Sequence, residues 1–263
     1  MQNLSQYPEL EDVLKQFVER VKPVLGDNLL AIYLQGSFAL GGGDKDSDVD
    51  FLVIVEDDIP ESQLSELEAM HLAMFEIESY WSHHLEGSYF PREWLKNIDY
   101  KPLVYIDNGH KNLERSDHDN NLVVRWVTRE HGVTLYGEAP ETYIDPVDPD
   151  ALKAEVKKVM KWWGNDLVSG KEVIDTEWLQ AFAVTFFCRT LYTLKTGKVY
   201  SKPDSVEWAK STLDSQWKTL ITEAWQKRKN QYKKGIVSVN ADLVPPTIEF
   251  VQYALNLSDE YFG

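Results

Sequence analysis

The sequence predicts an α/β domain with a small mixed sheet, followed by an all-α helical bundle domain. Three observations predict it. Two apolar runs of strand length, Leu29 to Leu34 and Phe51 to Val55, flank a stretch holding Gly36-Ser37 and Gly41-Gly42-Gly43. Residues at helical spacing precede and follow this pair. Beyond Pro140 to Pro149, a stretch dense in proline and turn formers, the pattern is helical throughout.

Taken in order, Leu10, Val13, Leu14, Phe17, Val18 and Val21 predict an amphipathic first helix ending near Pro23. The strand 29–34, a glycine-rich loop and a second strand over 49–55 follow. Pro60 and Ser62 introduce a helix with Leu64, Leu67, Met70, His71, Met74 and Phe75 on one stripe. His84 to Tyr89 predicts a third strand, Leu122 to Glu130 a shorter helix, and Val133 to Tyr136 another short strand. After the proline-rich linker, Leu152, Val156, Val159 and Trp163 form one stripe. Trp178 to Lys195 is a long apolar helix ended by Gly197. Helices over Val206 to Leu213 and Leu220 to Tyr232 continue in kind. Pro245-Pro246 opens a last helix to about Leu257. The expected division is 1–148 and 149–263, without repeats or low-complexity segments.

The 263 residues carry 27 Lys and Arg against 43 Asp and Glu, a formal charge of −16. That field disfavours nucleic acid, whose binders carry a basic footprint, and favours a cationic partner. The single cysteine, Cys188, excludes an internal disulfide and fits a reducing compartment; its apolar neighbours mark it as a core residue. No apolar run reaches membrane-span length, and the first residues lack the basic and apolar regions of a signal peptide. A cytoplasmic protein without membrane contact is expected, with a monomer as the default state.

The chemistry concentrates in Gly36-Ser37 and, ten residues on, Ser47-Asp48-Val49-Asp50. Strand alternation puts Asp48 and Asp50 on one face, with Val49 opposite. Adjacent carboxylates repel unless a cation lies between them. Hard oxygen donors at this spacing suit Mg²⁺, which completes its shell with phosphate oxygens. Gly36 and Ser37 supply a backbone that phosphate can approach, with N–H and hydroxyl donors. A turn entering a strand accounts for Asp and Ser equally simply; the ordered combination of strand, Gly-Ser, loop and Asp-x-Asp favours a metal–nucleotide site.

These residues resemble the nucleotidyltransferase superfamily motif, a Gly-Ser turn followed by Asp-x-Asp. Two further blocks, Arg129 to Gly137 and Arg189 to Lys198 with Ser201-Lys202 and Glu207-Trp208-Ala209, resemble the bacterial aminoglycoside adenylyltransferases acting on streptomycin and spectinomycin. The three blocks agree in order along nearly the whole chain. The resemblance implies a nucleotidyltransferase domain over 1–148 and a C-terminal helical domain over 149–263. It implies transfer of AMP from ATP to a hydroxyl of spectinomycin, streptomycin or both, and resistance to them. A different small-molecule or protein acceptor is the alternative.

On this resemblance, Asp48 and Asp50 hold one Mg²⁺ or two, and Gly36, Ser37 and Ser47 contact the phosphates of ATP. Glu86 matches the catalytic glutamate, the general base. Arg189 and Lys202 match positions that reach ATP from the helical domain, which implies an active site at the junction of the domains. The adenine-stacking tyrosine falls at Arg228 by ungapped counting, and Tyr232, one helical turn onward, is its replacement candidate. Asp175 matches an acidic residue that helps select streptomycin, whereas a tryptophan that holds that drug has no counterpart around Leu103 to Tyr105. Glu86, Asp175 and Asp119 are candidate partners for the amines of a cationic aminoglycoside or aminocyclitol. Trp178 is open to stacking on the substrate or to the core. Asp117-His118-Asp119 is open to a helix cap or a substrate contact.

Overall fold

The computed structural model describes residues 6–45, 47–96, 101–230 and 237–263. The chain divides into two compact units, Met1–Val147 and Asp148–Gly263.

In the first unit, α1 (Pro8–Leu25) begins with proline and two glutamates in its first turn, and buries Leu10, Val13, Leu14, Phe17, Val21 and Leu25. It passes Pro23, where the sequence predicts its end. A proline in the last turn forfeits one hydrogen bond, and the Gly26 amide still closes on the Lys22 carbonyl. β1 (Leu29–Leu34) follows, and the expected glycine loop opens with a single helical turn, α2 (Gly36–Ala39). β2 (Val49–Val55), α3 (Glu61–Phe75) and β3 (Leu85–Pro91) form a parallel crossover.

Three further elements are absent from the sequence expectation: α4 (Arg92–Lys96), β4 (Leu103–Ile106) and β5 (Leu113–Ser116). Four-residue strands are too short to establish a period. α5 (Leu122–His131) and β6 (Val133–Tyr136) complete the unit. The six strands lie in the order β5-β4-β3-β2-β1-β6. β2 and β3 are parallel; every other pair is antiparallel.

Alternation divides the residues of β2 and β3 between two faces. Val49, Phe51, Val53, Val55, Leu85 and Tyr89 join α1 and α3 in the larger apolar core. Within it His71 is fully enclosed and bonded to the Tyr89 hydroxyl at 2.8 Å, and burial lowers its imidazole pKa to about 3. Leu52, Ile54 and Phe90 belong to a smaller cluster on the other face, with Tyr33, Leu95, Leu103 and Ile144. Asp50 and Glu86 share this second face, at the starts of their strands.

The second unit is helical among its described residues: α6 (Pro149–Val168), α7 (Glu177–Thr196), α8 (Lys202–Thr212), α9 (Lys218–Asn230) and α10 (Val244–Tyr261). α7 packs against the other four. Thr176 caps its start by accepting from the Leu179 amide, and Gly197, at φ 69°, ends it in the left-handed conformation that glycine adopts without a Cβ clash. Cys188 is fully buried on α7, and burial pushes its thiol pKa up, as a core role requires. The predicted stripe on α6 shifts by one residue: Val159 is 44% exposed, while Met160 takes its place in the core. Helical periodicity leaves neighbours at the edge of a stripe nearly equivalent, and only packing selects between them.

Candidate active site

Gly36 follows β1, where the Gln35 amide donates to the Asp50 carbonyl at 2.8 Å and ties the turn to β2. Gly36 has φ 61°, and a Cβ there would fall 2.0 Å from Asp50 Oδ2. The glycine therefore makes room for a carboxylate of this chain, in addition to any ligand. The next amide, of Ser37, donates to that same Oδ2 at 3.4 Å. Ser37 Oγ is buried with no hydrogen-bond partner among the described residues, so its capacity to donate is unspent.

Asp50 on β2 stands directly opposite Glu86 on β3. Like charges in that relation oppose one another. The Glu86 carboxyl is raised to about 8, first by burial, then by the Asp50 charge, with Asp48 and Asp119 adding to the rise. The Tyr105 hydroxyl donates to Glu86 Oε1 at 2.9 Å and pulls the other way. His118 Nε2 lies 3.6 Å from the same oxygen, and its ring is 5.3 Å from the Tyr105 ring. Asp48 lies just before β2 and accepts from Asn108 Nδ2 at 2.6 Å. The structure thus brings Asp48, Asp50 and Glu86 into one electrostatic group, next to the Gly36-Ser37 turn.

Other candidates sit differently. Ser47 turns back on its own loop: its hydroxyl donates to Asp44 Oδ1 at 3.1 Å and accepts from the Asp44 amide at 2.9 Å. Asp119 is 5% exposed and accepts from Ser88 Oγ at 2.8 Å, and burial raises its carboxyl pKa. The residue that caps α5 is Asn121, through the Val124 amide at 2.9 Å, so neither Asp117 nor Asp119 is the cap. Tyr105 and Asn108 escaped sequence reasoning, which held His118 only as part of Asp117-His118-Asp119. The signal available for them was Asp107-Asn108-Gly109, a hairpin-turn tripeptide behind a β-rich Leu-Val-Tyr-Ile run.

In the second unit, Arg189 is half-buried on α7, and Lys202 is the first residue of α8, where the helix dipole adds to its positive charge. Asp175 is exposed just before α7, its carbonyl accepting from the Val239 amide at 2.9 Å. Trp178 is 49% exposed and stacks on Phe182 with ring centroids 5.0 Å apart, so one face of it is packed and the rest meets solvent. Tyr232 lies outside the described residues.

Comparison with known proteins agrees along the chain. Residues 10–86 match the model of the nucleotidyltransferase domain, and residues 144–255 that of the aminoglycoside adenylyltransferase C-terminal domain. Together, in this order, the two matches support the aminoglycoside adenylyltransferase family. An Aminoglycoside (3'') (9) adenylyltransferase of Escherichia coli is 26% identical, covering 93% of this chain and 93% of that protein. A Spectinomycin 9-adenylyltransferase of Staphylococcus aureus is 23% identical over 78% of this chain and 80% of its own length. The crystal structure of spectinomycin adenyltransferase AAD(9) from Enterococcus faecialis with ATP and spectinomycin superposes with a TM-score of 0.70. It covers 94% of this chain and 99% of that one at 14% identity, a likeness of fold.

The donor set at the mouth of β2 fits a hard divalent cation. Asp48 and Asp50 offer carboxylate oxygens beside a third carboxyl whose proton affinity they raise, and a cation relieves that crowding. Among the described residues, no three or more His, Cys, Asp or Glu side chains form a ready-made cage. Mg²⁺ does not need one, since it binds through one or two carboxylates and keeps oxygens of water and phosphate.

Proposed function

We propose that this chain transfers AMP from Mg·ATP to a hydroxyl of spectinomycin, streptomycin or both, and thereby confers resistance. The observation that carries the reading is the placement of Glu86 directly across from Asp50, with Asp48 alongside, in a chain of this family. Glu86 is assigned as general base. It takes the proton of the acceptor hydroxyl as that oxygen attacks the α-phosphorus, and pyrophosphate leaves. A carboxyl raised to about 8 holds a captured proton better than an ordinary glutamate and works near neutral pH.

Asp48 and Asp50 are assigned to Mg²⁺, which when bound supplies neutralisation of the phosphate charge. Gly36 and Ser37 are assigned to the phosphates; Ser37 Oγ brings a hydroxyl without an internal partner. Ser47 serves this reading only by shaping its loop, given its bonds to Asp44. Arg189 and Lys202 are assigned to the triphosphate charge, and Asp175 with Trp178 to a cationic acceptor. Asp119 is assigned an indirect part, through Ser88 and the charge it adds near Glu86. The acidic surplus and single cysteine favour a cytoplasmic enzyme with a cationic substrate and no nucleic-acid partner, working as a monomer. Among the described residues, no helix is long and apolar enough to cross a membrane.

The test is purified protein with Mg·ATP and single drugs, read by mass spectrometry for the added AMP. Adenylylated spectinomycin or streptomycin is expected. ATP bound but no drug modified across the panel sinks the acceptor assignment. Transfer to another hydroxyl compound instead keeps the chemistry and replaces the acceptor.

A further inference from the structure

The two side chains whose hydrogen bonds reach Asp48 and Glu86, Asn108 and Tyr105, come from one hairpin. Asp48 precedes β2, so no strand pairing holds its backbone, and its carboxylate turns about two side-chain bonds. Asn108, in the turn after β4, donates from Nδ2 to Asp48 Oδ1 at 2.6 Å. The other end of the same amide faces His84, with Oδ1 at 2.8 Å from Nδ1. Reversing the amide would set its oxygen against the carboxylate, so the orientation is determined and His84 carries its proton on Nδ1. The His84 ring is itself stacked on Tyr80, centroids 4.1 Å apart. Asp48 is thus anchored through two side chains to a fixed aromatic pair.

The strand leading into that turn holds Glu86. Tyr105 pairs with Ser88 across the β3–β4 ladder and is 3% exposed, so its ring has one position. Its hydroxyl faces Glu86 Oε1 at 2.9 Å and Asp107 Oδ1 at 3.1 Å. Asp107 in turn accepts from the Asn108 backbone N–H at 2.9 Å. Burial of Leu103, Val104 and Ile106 would hold β4 in the sheet without any of these polar contacts.

We infer that Asn108 and Tyr105 are positioning residues, through which the β4–β5 hairpin sets the metal-binding Asp48 and the base Glu86 relative to each other. The inference rests on the proposed assignment of Asp48 to the cation and Glu86 to the base. It divides the labour. Asn108 acts on cation and nucleotide binding, and Tyr105 acts on transfer once both substrates are bound.

The test compares wild type, Asn108→Ala and Tyr105→Phe in two measurements. The first is binding of Mn²⁺ with a non-transferable ATP analogue, by electron paramagnetic resonance and calorimetry. The second is kcat and KM for transfer. Asn108→Ala is expected to weaken Mn²⁺ binding by roughly 10- to 100-fold, as loss of a group that orients a metal ligand does, with kcat recovering at saturating cation. Tyr105→Phe is expected to lower kcat by roughly tenfold, with Mn²⁺ and nucleotide affinities unchanged. His84→Phe keeps a ring to stack on Tyr80 and releases only the far end of the Asn108 amide. It is expected to shift Mn²⁺ affinity in the same direction as Asn108→Ala, and it decides the matter if that variant does not fold. Wild-type binding with all variants unchanged, or both effects falling on the same parameter, overturns the inference alone. Failure of the wild type to bind Mn²⁺ with the nucleotide overturns the cation assignment and the inference with it.

Discussion

The two faces of the first unit's sheet start from the same strands and end in different chemistry. β2 and β3 have the same burial pattern: every residue is buried except the second, and those second residues are Asp50 and Glu86. The face toward α1 and α3 is apolar along its length and closed by aromatic contacts, such as Phe17 on Phe51 with centroids 4.6 Å apart. On the other face β2 and β3 give Leu52, Ile54 and Phe90 to a smaller apolar cluster, and the edge of that face carries two opposed carboxylates. Packing alone would favour apolar residues there too. Retention of like charges across a ladder is a sacrifice of stability that the proposed chemistry explains.

Substitutions that act on one face and spare the other sharpen that contrast. The largest effect is expected from Glu86→Gln: kcat should fall by about 10²- to 10⁴-fold, as loss of a general base does. Calorimetric titration with ATP should show binding retained; loss of binding together with activity would point to a structural role instead. On the apolar face, Phe51→Ala removes a fully buried ring and should cost about 3–5 kcal/mol in urea unfolding. Activity per folded molecule should nevertheless stay near wild type.

Gly36→Ala probes where the faces meet the turn. The new methyl group meets Asp50 Oδ2 in a left-handed conformation, which itself costs about 1–3 kcal/mol. Transfer should decline along with stability, and unchanged kinetics would free Gly36 from its assigned part.

A smaller effect is expected in the pH dependence of melting. Glu86 is raised to about 8 when folded and is near 4.5 when exposed, so the folded state binds the proton more tightly. The unfolded chain loses that proton first as pH rises, and Glu86 therefore costs stability progressively from about pH 4.5 to about pH 8. Glu86→Gln should melt higher than wild type, by a margin that grows from pH 5 to pH 8. A constant margin would remove Glu86 as its source. Least of all, Ser47→Ala loses the exposed bonds to Asp44 and should change stability by about 1 kcal/mol or less, with little change in KM for ATP.

What could be read in advance was local. The Gly36-Ser37 turn and Asp48-x-Asp50 are close in sequence, and Glu86 stood out as an acidic residue on a short predicted strand that a family pattern also marks. The partners of these carboxylates were hidden by distance along the chain. Asn108 meets Asp48 across 60 residues, and Tyr105 meets Glu86 across 19, through a strand too short to announce itself. Ser47 shows the converse: a three-residue contact with Asp44 competes for a hydroxyl that the motif alone assigns to phosphate.

The sequence by itself determined the order of the elements other than α4, β4 and β5, the long apolar helix of the second unit, and the residues that carry charge at the head of β2. Periodicity and turn chemistry act over a few residues and need no partner to be legible. Tertiary structure decided which face of β2 and β3 closes into a core and which carboxylates stand opposite each other. It also decided that the β4–β5 hairpin supplies their hydrogen bonds. Those outcomes depend on strand register and on burial, which raises the Glu86 pKa, and both arise only when distant segments pack.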